Sequence, residues 1–139
     1  GYMIIKYEKQ KIDGMDKLAS VFYAILDKDN IVDKNKEHFW VAGVNVKLMI
    51  QYIELVSLGN INSSIVSPRE VFRFAIMKGV YGIFICHNHP SGDVEPSEDD
   101  LIITQKLVKS GKIIDINIID HLIIGKCFKY YSFKDKGLI

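Results

Sequence analysis

The run Val80-Tyr81-Gly82-Ile83-Phe84-Ile85-Cys86 leads directly into His87-Asn88-His89 and then into Pro90-Ser91-Gly92-Asp93. A short apolar run rich in β-branched and aromatic residues reads as a buried strand. Pro-Ser-Gly-Asp ends it. If the strand continues through His89, its period of two places His87 and His89 on one face and Cys86 on the other. Pro96-Ser97 then reads as a helix start, with Ser97 as N-cap and Asp100 on the first turn. A strand end, a turn and a helix start are where α/β folds hold ligands.

Two imidazoles and a carboxylate suit a borderline metal such as zinc. A catalytic zinc takes three protein ligands and keeps one position for water, and His87, His89 and Asp100 would supply the three. The same residues also have a plainer reading. Two histidines beside a turn can be packing or surface residues, and Asp100 can be the acid of a capping box with Ser97.

Helical spacing recurs at Leu18, Val21, Phe22, Ile25 and Leu26, with Asp16 as the expected N-cap. Residues 27–36, rich in Lys and Asp, read as a solvated loop. His38 to Asn45 and Lys47 to Leu58 read as a strand and its hairpin partner, and Ile65-Val66 as a short extension. Ser67, Pro68 and Glu70 form a helix start with a capping box, and Gly79 stops that helix. Its apolar stripe is Val71, Phe72, Ala75 and Ile76. The next helix runs from Ser97 to about Lys109, with Leu101, Ile102, Thr104, Leu107 and Val108 apolar-facing and Gly111 as its stop. Residues 113–117 and 119–124 read as strand material broken near Asp115 and Asp120, and Tyr130 to Phe133 as a final strand. Met3 to Tyr7 would be an edge strand guarded by lysine. Alternation of helices and strands implies an α/β sandwich with a mixed sheet.

The 139 residues imply one domain. Residues 1–14 are expected to be an N-terminal extension, either that edge strand or an expression remnant at Gly1, and 15–139 the domain proper. Hydrophobic residues make up 48%, enough for a sizeable core, and a net charge of +1 gives no basic bias toward nucleic acid. Cys86 and Cys127 do not make a disulfide framework and are expected as reduced core or near-core thiols of a cytoplasmic protein. No membrane-spanning stretch is visible.

His87-Asn88-His89-Pro90, with seven residues before Ser97 and two more before Asp100, resembles the JAMM signature of the JAB/MPN metalloprotease superfamily. His-Asn-His-Pro-Ser-Gly is similar to its RadC branch. So are Ser67-Pro68-Arg69-Glu70-Val71, Asp120-His121-Leu122-Ile123-Ile124-Gly125, and Tyr131-Ser132-Phe133 with Gly137-Leu138. The resemblance spans Leu18 to Ile139. It implies a layered α/β/α fold like that of the cytidine deaminases, with a zinc ion held by His87, His89 and Asp100. It further implies a glutamate acting as general base, carried to Glu37 in Glu37-His38-Phe39-Trp40-Val41, and Ser97 as donor to an oxyanion. The implied activity is zinc-dependent cleavage of an amide or isopeptide bond in a protein or peptide.

Glu70 is the rival for the base, although helix capping and a surface ion pair with Arg69 account for it without chemistry. His121 reads as a core histidine with a satisfied ring, or else as a partner behind a metal ligand. Asn88 and Asp93 are expected to shape the turn, with Asn88 also able to reach substrate. Members of the RadC branch are associated with DNA repair and commonly carry an upstream helix-hairpin-helix region, for which the stretch before Leu18 is too short. That shortness counts against direct DNA binding; a DNA-associated factor in repair or recombination, and a metal-bearing interaction module without turnover, are the alternatives.

Overall fold

The computed structural model describes residues 3–139. Gly1 and Tyr2, on which the remnant reading falls, lie outside the described residues. Ten elements follow in order: β1 (Met3–Ile4), α1 (Met15–Asp27), α2 (Ile31–Lys34), β2 (His38–Val44), β3 (Ile50–Leu58), α3 (Pro68–Lys78), β4 (Gly82–Asn88), α4 (Glu98–Ile114), β5 (Asn117–Ile124) and β6 (Tyr130–Ser132). The strands form one mixed sheet in the order β1-β3-β2-β4-β5-β6. Only β4 and β5 run parallel, with α4 as their crossover, and the other neighbours are antiparallel. Parallel pairs need such a crossover and are covered on both faces, which is why β4 is buried throughout and apolar up to Cys86.

The period of two divides the core. Phe39, Val41, Tyr52, Ile83 and Ile85 point toward α3 and α4, where Val71, Phe72, Ile103 and Leu107 meet them. Trp40, Ala42, Ile53, Phe84 and Cys86 point toward α1 and its Leu18 and Phe22. The result is an α/β/α arrangement around a mixed sheet. His87 shares the parity of Ile83 and Ile85, so it faces α4, while Cys86 is buried on the α1 side.

Several local expectations change. Asp16 does not cap α1, whose cap is Gly14; its carboxylate accepts instead from the Tyr130 hydroxyl at 2.7 Å. Within 27–36, Asn30 caps Asp33 N–H and starts the short helix α2. Ile65-Val66 forms no strand, because both N–H groups turn back onto Asn62 O. Ser67 caps Glu70 N–H, but the Glu70 side chain goes to Arg73 at 3.7 Å and completes no capping box. Ile76 and Ile102 are exposed; Ile103 rather than Ile102 enters the core from α4, beside Leu107.

Gly111 does not stop α4. A Cβ there would lie 2.4 Å from Ile116 O and 3.3 Å from Phe72 Cζ, so this glycine permits close packing inside the helix. The helix ends at Asp115, which takes the left-handed conformation at φ 60°. Ile113 and Ile114 thus belong to the helix. Asp120 does not break β5: one extra residue is absorbed between the pairs Ile83–Ile118 and Phe84–Asp120. Cys127 is exposed rather than near-core, on a turn with φ 58°. Residues 3–12 follow the outer edge of β3 through Ile5 N–H to Ile53 O, Ile50 N–H to Gln10 O and Ile12 N–H to Leu48 O. No helix among the described residues is long and apolar enough to cross a membrane.

Candidate metal centre

His87 lies near the end of β4, and His89 follows where the strand opens into the turn. α4 begins directly opposite. Ser97 Oγ accepts from Asp100 N–H at 3.0 Å, and Asp100 Oδ2 accepts from Ser97 N–H at 2.9 Å, a complete capping box. The box does not compete with a role at the centre, because it aims the carboxylate at the histidines. His89 Nε2 is 3.0 Å from Asp100 Oδ2, and His87 Nε2 is 3.3 Å from Oδ1. The two Nε2 atoms are 3.1 Å apart. One ligand atom from each residue falls within 4.8 Å of the others.

The turn holds His89 from behind. His89 Nδ1 is 2.7 Å from Asp93 O, which only accepts, so Nδ1 carries the proton and Nε2 faces the other two ligands. Gly92 bends the turn at φ 91° and packs on Gly125, where a Cβ would come within 2.4 Å of Gly92 O. His89 N–H also bonds to Ile124 O at 2.9 Å. Asp93 thus shapes the turn as expected, through its carbonyl as well as its carboxylate.

The charges fit a cation. Burial works against an ionised Asp100, but the close contacts with the His87 and His89 rings, together with Ser97 N–H, outweigh it and hold the carboxyl well below the usual range. The contact with the Asp100 carboxylate raises His89 against burial, and the Asp93 carbonyl adds to the rise. Two imidazole nitrogens and an anionic oxygen on one point make a suitable donor set for a divalent ion.

Glu37 precedes β2, whose Phe39 pairs with His87 and stacks on its ring at 6.1 Å. Burial pushes the Glu37 carboxyl upward, His87 and His89 pull it back, and Asp100 adds to the rise, so it lies within the field of all three. Asn88 supplies the positioning that sequence reasoning missed. Its Oδ1 accepts from His38 N–H at 2.6 Å and its Nδ2 donates to Lys36 O at 3.0 Å, gripping the backbone on both sides of Glu37. Gly59 N–H holds Glu37 O at 2.9 Å. Asn88 is buried, so this grip replaces the expected reach to substrate.

Glu70 is elsewhere. It pairs with Arg73 and borders a cavity of about 400 Å³ with Met3, residues 55–58 and Ile65. Arg69 is not the partner of Glu70. His121 is fully buried and stacked on Phe133 at 4.4 Å, with Nε2 2.8 Å from His87 Nδ1. Its ring is therefore both a satisfied core group and a contact behind a candidate ligand. Burial, then the neighbouring His87, hold it well below the ordinary histidine value against the pull of Asp100.

A family model described as "RadC-like JAB domain" matches residues 15–138. Among curated proteins, a UPF0758 protein of Methanosarcina mazei is 38% identical over 135 residues, covering 97% of this chain and 56% of that protein. One of Desulforamulus reducens is 42% identical over 111 residues, covering 80% and 48%. One of Listeria welshimeri is 49% identical over 102 residues, covering 73% and 45%. The chain spans about half the length of the curated relatives it matches.

Proposed function

Because this chain belongs to the family of RadC-like JAB domains, we propose that it is a zinc-dependent hydrolase that cleaves amide or isopeptide bonds in a protein or peptide substrate. The observation that carries this reading is the convergence of His87 Nε2, His89 Nε2 and an ionised Asp100. Held from behind at Nδ1 by a carbonyl, the His89 ring keeps Nε2 for His87 and Asp100. A divalent cation answers that arrangement better than water does.

His87, His89 and Asp100 would hold the ion. When bound, zinc supplies a Lewis acid and brings the acidity of water toward neutral pH. Glu37 accepts the proton of the attacking water and delivers it to the leaving amine. Its raised affinity for protons suits both steps. Ser97 spends an oxygen lone pair on Asp100 N–H, which leaves its one proton to donate to the oxyanion.

Elemental analysis of protein purified without chelators and dialysed against micromolar zinc tests the first link. One equivalent is expected in the parent chain and none in Asp100→Asn. Glu37→Gln is expected to keep zinc while cleavage of a fluorogenic peptide and isopeptide library drops by at least a hundredfold. A parent chain that retains no zinc overturns the reading. Turnover unchanged in Glu37→Gln overturns the role of the base. Salt-sensitive binding of duplex DNA by a chain inactive toward the library would favour the DNA-associated alternative.

A further inference from the structure

Behind His87 runs a chain of three short contacts. We propose that Thr104 and His121 are positioning residues that fix the tautomer of His87, so that its Nε2 lone pair faces the metal position. The inference rests on the reading of the site as a metal centre.

Thr104 Oγ1 is 2.8 Å from Asp100 O and 2.6 Å from His121 Nδ1. A carbonyl oxygen only accepts, and a hydroxyl has a single proton. The Thr104 proton therefore goes to Asp100 O, and Oγ1 accepts from His121 Nδ1–H. The opposite assignment would leave two oxygens facing each other at 2.8 Å with no proton between them. A neutral imidazole has one proton, so His121 Nε2 carries a lone pair. It accepts from His87 Nδ1–H across 2.8 Å. His87 Nε2 is left unprotonated, toward His89 and Asp100.

The fold builds this relay from two local features. Thr104 stands one helical turn beyond Asp100 on the buried face of α4. The irregularity in β5 sets His121 beside Ile85 rather than beside Cys86, turning the ring toward α4. Stacking on Phe133, with the edge of Phe39 alongside, confines the ring. Ligand histidines usually rest on a carboxylate, carbonyl or water. A neutral imidazole backed by a hydroxyl does the same orienting without adding charge.

Long-range ¹H–¹⁵N imidazole spectra of the metal-free chain read the tautomers directly. His87 and His121 are both expected as Nδ1–H forms. Zinc affinity, measured by competition with a chromophoric chelator, is expected to fall about ten- to a hundredfold in Thr104→Val. Thr104→Ser, which keeps the hydroxyl, is expected to bind like the parent. An Nε2–H signal for His121, or parental zinc affinity in a folded Thr104→Val, overturns the relay. A parent chain that binds no zinc would instead sink the metal-centre reading, while the spectra would still decide the relay.

Discussion

Glu54 lies mid-strand in β3 with its side chain fully buried, 3.5 Å from Arg73. Burial lifts its carboxyl from 4.5 to about 7; Arg73 opposes the rise and Glu70 adds to it. The folded chain therefore keeps a proton that the unfolded chain loses. Stability from this group is fully present below pH 4.5 and is lost as pH rises through about 7. The whole swing is on the order of 3 kcal/mol. Glu54→Gln cannot titrate, so its stability relative to the parent should improve between pH 5 and pH 8, as urea denaturation at the two pH values would measure. An unchanged difference would mean that Glu54 is ionised throughout. Asn88→Ala makes a second expectation at this scale. It strips the buried His38 N–H of its partner and removes one of the two contacts of Lys36 O, which keeps His38 Nδ1 at 2.9 Å; leaving a buried group unpaired costs about 1–3 kcal/mol. A loss of at least about 1 kcal/mol in denaturant unfolding is expected.

At the scale of elements, α4 does two jobs. Its first turn presents Asp100, and its last turns pack against the start of β5. The capping box and the carboxylate of the centre are one structure, so a sequence pattern that looked like a choice between them was not one. Gly111 is the point of closest approach. Gly111→Ala improves helix propensity by up to about 1 kcal/mol in an open helix, but here the added methyl meets Ile116 O and Phe72. Overpacking of this kind costs about 1–3 kcal/mol. The substitution should lower stability, against the propensity trend, and thermal unfolding would show the sign. The β5 irregularity is the other decisive element feature, because a regular strand would turn His121 to the α1 face.

Across the whole molecule, the centre ties three regions together: the segment before β2, the end of β4 and the start of α4. An ion bound only by the folded chain stabilises it by mass action, about 2.7 kcal/mol at a hundredfold excess over Kd. Zinc is expected to raise the Tm by several degrees, and a chelator to reverse the rise. Asp100→Asn should abolish the zinc-dependent shift. A parent Tm indifferent to zinc would contradict a site that closes only on folding.

The apolar run ending in His87-Asn88-His89, the Ser97 start and the Pro-Gly turn were legible because each is a local rule. A period of two assigns faces, a hydroxyl caps a helix and a proline ends a strand. Those rules were enough to draw the layered α/β architecture and to nominate His87, His89 and Asp100 as neighbours. What the tertiary structure decided depends on distance in space. Gly111 looked like a stop because glycine often is one; only the approach of Ile116 makes it a packing residue. Asn88 looked like part of a turn because its partners, Lys36 and His38, are about fifty residues away in the chain. Glu37 and Glu70 could not be told apart by residue type, since the field of His87, His89 and Asp100 at one of them exists only once β2 lies beside β4. His121 joins the centre through one extra residue in a strand, a shift no periodicity announces, because the hydrogen-bond register belongs to the pair of strands and not to either sequence.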